Sequence, residues 1–186
     1  MDALDPAYPK LLEAVAFAAR AHRHHLRKDG ETPYVSHVFR ACLTLRHVFG
    51  ITDVAALTAA VLHDTLEDTT TDYDDLREHF GDQVAGWVAA LSKDKTLPEP
   101  EREEKYRRTL ASAPWQVKAC KLADVFDNLH DSAKIRTQGP SKVLRRAREY
   151  LDALDAPDLP EPVRRAWDTV NRLLAEMEKK GKGPTG

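Results

Sequence analysis

The chain has 186 residues, of which 42% are hydrophobic and 31% charged, a composition typical of a soluble globular domain with a sizeable core. Its formal net charge of −2 excludes a global basic field that would attract nucleic acid, so an anionic ligand needs a local basic patch. No apolar run approaches the roughly 20 residues of a membrane span, and the start MDALDPAYPK lacks the apolar core of a signal peptide.

The two cysteines indicate a reducing environment. Cys42 and Cys120 lie far apart in apolar runs and form no CxxC pair, which argues against a thiolate zinc site. We therefore expect two buried free thiols and a cytoplasmic location.

The first third of the chain has helical periodicity. A first helix is predicted from about residue 9 to about 25, followed by a Gly/Pro loop, RKDGETP. A second helix is predicted from about 35 to 49. Asp53 is a candidate N-cap for a third helix, which runs through ALTAAVLHDTLED at 56–68.

The remaining sequence also favours helices. Asp72 is expected to cap a short helix that ends at Gly81, and the next helix continues the same apolar face. Prolines and acids in LPEPEREE indicate a loop and a helix start. Further helices are predicted at 115–131, at about 141–154 and at about 161–179. Without period-two alternation, repeats or a linker, the sequence predicts one all-α domain over 1–186, with a disordered tail at 180–186.

The segment AVLHDTLEDT is the densest cluster of reactive side chains. Residues four apart share a helix face, so His63 is expected above Glu67. Asp64 is expected above Asp68 in the same way. Three carboxylates and an imidazole at a buried helix end repel one another and lose hydration, and a divalent cation relieves both costs. The alternative is a solvated acidic helix end.

A second polar feature lies in VKACKLADVFDNLHD, where apolar side chains occur nearly all round the helix, as in a central helix. The exceptions follow three- and four-residue spacing: Lys121, Asp124, Asn128 and Asp131. Such a stripe needs partners, which favours Asp124 as a metal ligand and Asn128 as an amide that contacts a ligand. The alternatives are a buried salt bridge with Lys121 or the exposed face of an edge helix.

His37 stands out among the eight histidines because it follows the Gly/Pro loop and opens an apolar helix, where a ligand would be rigidly held. The preceding segment RHHLRKDG places Arg27 and Lys28 near the mouth of the same site. Guanidinium and ammonium groups beside a metal suit a phosphate-bearing substrate. Taken alone, a basic loop is more often solvated surface.

A histidine, a His-Asp pair and a distant aspartate on an all-helical chain resemble the HD superfamily of metal-dependent phosphohydrolases. RKDGETPYVSH, AVLHDTLEDT and KLADVFDNLHD resemble the hydrolase domain of Rel/SpoT-type alarmone enzymes. SKDKTLPEPERE resembles the stand-alone small alarmone hydrolases. The resemblance covers about residues 9–155 and includes nothing similar to the family's synthetase or regulatory domains.

This resemblance implies a single-domain HD-type helical bundle with a central metal site. It implies removal of the 3′-pyrophosphate of ppGpp or pppGpp, giving GDP or GTP and pyrophosphate. The implied cofactor is one Mn²⁺ ion. Its implied ligands are His37, His63, Asp64 and Asp124. Glu67 and Asp68 match the family's catalytic pair, which orients or deprotonates the attacking water and handles leaving-group protons.

The resemblance also implies a set of substrate contacts. Arg27 matches a guanidinium that stacks on guanine, with Lys28 beside it, and Asn128 matches a residue that contacts the nucleoside. Arg146 and Tyr150, in RRAREY, match an Arg and a Tyr near the nucleotide.

The chain departs from the family pattern after Asp124. His130 stands where an Arg is common, and Val125-Phe126 replaces a more usual Lys-Leu pair, which bears on substrate preference. Two alternatives are an HD phosphohydrolase that acts on another nucleotide, such as the 2′-phosphate of NADPH, and an alarmone-binding module without hydrolysis. The intact pair Glu67 and Asp68 argues against a pure sensor.

Overall fold

A computed structural model describes residues 5–134 and 140–181. These residues form nine α-helices and one π-helical turn, and their only β pairing is an isolated bridge between Leu26 and Pro33. The all-α prediction is therefore confirmed. Of the predicted disordered tail at 180–186, residues 180 and 181 belong to the last helix, so the prediction is wrong for them, and residues 182–186 lie outside the described residues. In the described part of the chain, no helix is both long enough and apolar enough to cross a membrane.

The N-terminal elements are α1 (Tyr8–Ala21), α2 (Val35–Leu43), the π-helical turn Thr44–Val48, α3 (Val54–Leu62) and α4 (Thr65–Asp68). The first helix ends four residues earlier than predicted. The His25 amide donates to the His22 carbonyl at 2.9 Å, which turns the chain after α1, and the Tyr34 amide donates to the His25 carbonyl at 2.8 Å, which joins the two ends of the loop.

The prediction of one continuous helix at 56–68 is wrong, because α3 ends at Leu62 and α4 begins at Thr65, although His63 and Asp64 between them keep right-handed dihedral angles. Side chains there satisfy carbonyls that a helix end leaves without amide partners. The Thr65 hydroxyl donates to the Leu62 carbonyl at 2.7 Å, and His63 Nδ1 lies 2.8 Å from the Ala60 carbonyl. The stacking of His63 above Glu67, which assumed an unbroken helix, therefore loses its basis.

Two predicted capping residues are confirmed. Asp53 accepts a hydrogen bond from the Ala56 amide at the start of α3. Asp72 forms a reciprocal capping box with Asp75 at the start of α5 (Tyr73–Leu91). The break predicted at Gly81 is present within α5, where this residue has φ 82° and ψ 166°.

The C-terminal half contains α6 (Glu99–Ser112), α7 (Trp115–Lys134), α8 (Pro140–Leu154) and α9 (Glu161–Gly181). Helix α7 packs against α2, α3, α5, α8 and α9, and its Leu122 and Leu129 are fully buried. It is the central helix, so an exposed edge-helix face is excluded. Of the two free thiols, Cys120 is buried beside α3 as predicted, whereas Cys42 is only partly buried.

The two glycines of α5 provide a matched test of its kink. Gly81 lies in a region of backbone space used almost only by glycine, although a Cβ there would meet no atom within 4 Å. Gly81→Ala should lower the free energy of unfolding by about 1–3 kcal/mol through backbone strain alone. Gly86→Ala, in the regular helix with equal space, should raise it by about 0.4–1 kcal/mol. Urea unfolding of both variants measures the difference, and equal effects would contradict the role of Gly81.

Candidate active site

One cavity of about 460 Å³ opens between α2, α4, α6, α7, α8 and the loop before α2. All eleven site residues named from the sequence line it: Arg27, Lys28, His37, His63, Asp64, Glu67, Asp68, Asp124, Asn128, Arg146 and Tyr150. The structure thus brings together side chains that are up to 123 residues apart in the chain.

A buried imidazole–carboxylate cluster lies in the cavity wall. His37 on α2, His63 after α3 and Asp124 on α7 each place one potential ligand atom within 4.8 Å of the others. Asp64 is not a member of this group of three, but its Oδ2 lies 3.0 Å from His63 Nε2 and 3.5 Å from His37 Nε2. The structure therefore groups three of the four predicted ligands and places the fourth beside both imidazoles.

Hydrogen bonds orient both imidazoles. His37 Nδ1 lies 2.6 Å from Asp127 Oδ2, and His63 Nδ1 lies 2.8 Å from the Ala60 carbonyl. These oxygens accept, so each Nδ1–H donates and each Nε2 faces the cluster. His63 Nε2 is buried and has no hydrogen-bond partner among the described residues. Two such nitrogens beside carboxylate oxygens fit a divalent transition-metal ion.

Neighbouring charges and hydrogen bonds shift the pKa values of the groups in the cluster. Burial opposes charge on His37, but hydrogen bonds to Asp124, Asp127 and Asp64 hold its pKa well above the ordinary value. Burial likewise opposes charge on Asp124, yet the Lys121 ammonium and the imidazoles lower its pKa below its usual range. The carboxylates are thus anionic, which is the protonation state that a metal ligand needs.

Asp127 is a functional residue that the sequence reasoning missed. It is buried, and its carboxylate accepts hydrogen bonds from Arg40 Nε at 2.6 Å and from Arg40 Nη2 at 2.8 Å. The same carboxylate accepts the hydrogen bond from His37. This bidentate pairing fixes the carboxylate that in turn fixes the imidazole. Its three-residue spacing from Asp124 on the same helix was the available signal.

The short helix α4 carries Glu67 and Asp68 into the cavity, where the loop after α5 clamps them. The Lys93 amide donates to Glu67 Oε2 at 2.9 Å, and Lys95 Nζ donates to Asp68 Oδ1 at 2.7 Å. Burial raises the pKa of Glu67, and Lys93 offsets only part of that rise. A carboxyl group of raised pKa is suited to proton transfer near neutral pH.

Tyr34, three residues before His37, was also missed. Its hydroxyl lies 2.7 Å from Asp64 Oδ2 and 3.2 Å from Asp68 Oδ2, and burial raises its pKa, so it stays a donor. It links a predicted metal ligand to a predicted catalytic carboxylate. The ring stacks on buried His22, which fixes its position from behind.

The predicted guanine-contacting residues are held by α7. Arg27 donates to Asp131 Oδ2 from Nε at 3.0 Å and from Nη2 at 2.7 Å, and its Nη2 lies 3.3 Å from Asn128 Oδ1. The Asn128 amide in turn donates to Asp124 Oδ1 at 2.5 Å. The Arg27 side chain is 11% exposed, so its guanidinium plane has a defined orientation beside the cavity.

The other two predicted substrate residues meet a carboxylate that sequence reasoning did not single out. Glu103 on α6 accepts from the Tyr150 hydroxyl at 2.8 Å and pairs with the Arg146 guanidinium. Lys93 Nζ lies 3.5 Å from the same carboxylate. An acid in an acidic helix start, EPEREE, gave no local signal of this inward position.

The family model of the HD domain matches residues 14–152 of this chain. The chain belongs to the HD domain family. Membership implies binding of a divalent metal ion, and the buried imidazole–carboxylate cluster supplies the ligands for one. The fold and the metal-binding class predicted from the HD-type motifs are therefore confirmed.

Proteins similar to this chain include several that are named as guanosine-3′,5′-bis(diphosphate) 3′-pyrophosphohydrolases. The human guanosine-3′,5′-bis(diphosphate) 3′-pyrophosphohydrolase MESH1 is 44% identical over 147 residues, which are 77% of this chain and 79% of the human protein. An Aquifex aeolicus guanosine-3′,5′-bis(diphosphate) 3′-pyrophosphohydrolase is 35% identical over 79% of this chain but only 22% of its own length. A solved structure described as a metazoan ortholog of SpoT that hydrolyzes ppGpp has a TM-score of 0.79 and 32% identity, covering 91% of this chain and 97% of that one.

The hydrogen bond from Asp127 to His37 generates a prediction for metal affinity. Asp127→Asn keeps the shape of the side chain but replaces the charged acceptor that orients the imidazole. Mn²⁺ affinity measured by isothermal titration calorimetry should fall by roughly 10- to 100-fold. Asp131→Asn is the control, since it removes another carboxylate partner of Arg40 without a bond to His37. Unchanged affinity in Asp127→Asn would contradict this orienting role.

Proposed function

We propose that this protein is a divalent-metal-dependent hydrolase that removes the 3′-pyrophosphate of ppGpp and pppGpp, releasing pyrophosphate and GDP or GTP. The observation that carries the proposal is the shared cavity. Ligand atoms of His37, His63 and Asp124 lie within 4.8 Å of one another there, next to Glu67 and a set of basic side chains. The names of the relatives support the choice of substrate.

The proposed metal ligands are His37, His63, Asp64 and Asp124. Two observations support this assignment. His63 Nε2 makes no hydrogen bond among the described residues and lies 3.0 Å from Asp64 Oδ2, and the cluster offers both imidazole and carboxylate donors. We propose Mn²⁺ as the resident ion, because nitrogen and carboxylate oxygen ligands with room for water suit it. When bound, the ion supplies positive charge that stabilises negative charge developing on phosphoryl oxygens.

Glu67 and Asp68 are proposed to act on the attacking water and the leaving group. Glu67 takes the proton of a water molecule as the water oxygen bonds to the phosphorus attached to the ribose 3′-oxygen. The bond from this phosphorus to the 3′-oxygen breaks, and that oxygen receives the proton that Glu67 took, which gives the 3′-hydroxyl and restores the Glu67 carboxylate. The backbone amide of Lys93 fixes one oxygen of Glu67 for this transfer, and the Lys95 ammonium holds Asp68.

The nucleotide is proposed to lie along the remaining cavity wall. Arg27 offers a guanidinium plane for stacking on guanine, with Lys28 beside it, and Asn128 faces the nucleoside. Arg146 and Tyr150 face a second phosphate group. The planar guanidinium of Arg27, held by Asp131, needs no further ordering before it receives a base.

The free cysteines support a reducing, cytoplasmic compartment for this activity. The net charge of −2 supports a small nucleotide rather than a nucleic acid as the partner. We also infer that residues 1–186 act as one HD domain, as the family match over 14–152 supports.

The direct test is pyrophosphate release from ppGpp by metal-stripped protein, with and without added Mn²⁺. We expect release of pyrophosphate and GDP in equal amounts, and only when the ion is present. The same assay with NADPH, followed by phosphate release, tests the alternative nucleotide substrate. Folded, Mn²⁺-binding protein that leaves ppGpp intact would overturn the proposal, and ppGpp binding without turnover would indicate a sensor.

Glu67→Gln separates the proton-transfer step from metal binding. The amide cannot accept a proton, so kcat for ppGpp should fall by roughly 10²- to 10⁴-fold while Mn²⁺ affinity is retained. Glu78→Gln, at an exposed position on α5, is the matched control for loss of one carboxylate. A wild-type kcat in Glu67→Gln would remove this residue from the mechanism.

A further inference from the structure

Glu103 occupies a position that is unusual for a carboxylate. It is 6% exposed in the wall of a cavity proposed to receive a polyanion. The Arg146 guanidinium, the Tyr150 hydroxyl at 2.8 Å and the Lys93 ammonium at 3.5 Å converge on its two oxygens. These contacts hold its pKa below the ordinary value in spite of burial, so the group is an anion.

The donors around Glu103 are those that bind phosphoryl oxygens. A guanidinium, an ammonium and a phenol offer charge-assisted hydrogen bonds with fixed directions. The Lys93 ammonium also lies 5.3 Å and 5.6 Å from the ring centres of Tyr106 and Tyr150, which limits its movement. The site is therefore built to hold a negatively charged group.

One N–H donor of the Arg146 guanidinium makes no hydrogen bond among the described residues. Its Nε is buried and has no hydrogen-bond acceptor among the described residues, although its terminal nitrogens pair with Glu103 and Glu99. A buried guanidinium N–H without an acceptor is costly, and an oxygen from a ligand would satisfy it. Glu103 thus fills this anion site only in part.

We propose that Glu103 is a resident anion that competes with the 5′-phosphate chain of the nucleotide for Arg146, Lys93 and Tyr150. It thereby acts as a specificity-determining residue that favours a 5′-diphosphate over a 5′-triphosphate. The inference rests on the proposed function, since one phosphate group must lie at the metal cluster for the other to reach Arg146. Each added phosphate charge increases repulsion from the carboxylate, so the longer chain is disfavoured more.

The test is binding of GDP and GTP, the proposed products, to wild type and Glu103→Gln by calorimetry. Glutamine keeps the size and an acceptor oxygen but removes the charge. The Kd of GTP should fall about fivefold and that of GDP about twofold. Pyrophosphohydrolysis should show the same order, with a larger decrease of KM for pppGpp than for ppGpp.

Glu99→Gln is the matched control. Glu99 also pairs with Arg146, but its side chain is 51% exposed and does not line the cavity. It should leave the Kd of both nucleotides within about twofold. Weaker GTP binding in Glu103→Gln would show that the carboxylate only holds Arg146 in place, and this outcome or an unchanged ratio of GTP to GDP affinity would overturn the proposal.

A second variant covers the case in which Glu103→Gln does not fold. In Glu103→Ala, acetate should occupy the vacated anion position and raise the apparent Kd of GTP, whereas wild type should show no such competition. Absence of competition in a folded Glu103→Ala protein would overturn the proposal. Because GDP and GTP bind without turnover, these results are independent of whether ppGpp is hydrolysed.

Discussion

The burial of ionisable groups where α2, the end of α3 and α7 meet is the constraint on which the site depends. His37, His63 and Asp124 are each at most 6% exposed, so none of them is hydrated enough to carry charge alone. Arg40 and Lys121 provide compensating cations from α2 and α7. Removing one charged side chain from such a buried network lowers the free energy of unfolding by about 3–5 kcal/mol. The packing of these helices therefore depends on the charges of the cluster.

The break between α3 and α4 is part of the same solution. Every residue from Ala56 to Leu62 is buried, so the end of α3 cannot use water to satisfy its carbonyls. His63 and Thr65 supply side-chain donors instead. Because His63 Nδ1 donates to the Ala60 carbonyl, its Nε2 is left to face the cluster. The helix that begins after this break places Glu67 in the cavity wall. One local hydrogen bond therefore completes a helix end and orients a ligand.

Much of the architecture follows from local sequence signals. Helical periodicity, the caps at Asp53 and Asp72 and the glycine at 81 depend on side chains within a few residues of each other, and these predictions are confirmed. The break at 63–64 could not be predicted from periodicity. A helix buried on all sides has no alternation of polar and apolar faces, so an interruption does not change its sequence pattern. The eleven site residues were named through motif order, and the structure gathers them at one cavity.

The supporting residues were missed for a related reason. Asp127, Tyr34 and Glu103 gain their roles from partners distant in the chain, such as the 90-residue separation between His37 and Asp127. An aspartate on a helix or a glutamate in an acidic run is ordinarily solvated, so residue type alone carries little information. For Asp127 the spacing from Asp124 was a local signal, whereas the roles of Tyr34 and Glu103 are visible only in the tertiary arrangement.

The two ends of the cavity are electrostatically opposite, and Lys121 connects them. At the metal cluster, carboxylates exceed the cations and favour a divalent ion, whereas around Arg146 the cations exceed the single buried carboxylate. Lys121 Nζ lies 2.7 Å from Asp124 Oδ2 and 4.3 Å from the ring centre of Tyr150, so it contacts both regions. A cation held at the cluster would neutralise part of the Asp124 charge that this lysine contacts, so the charges at the two ends of the cavity are linked through one side chain.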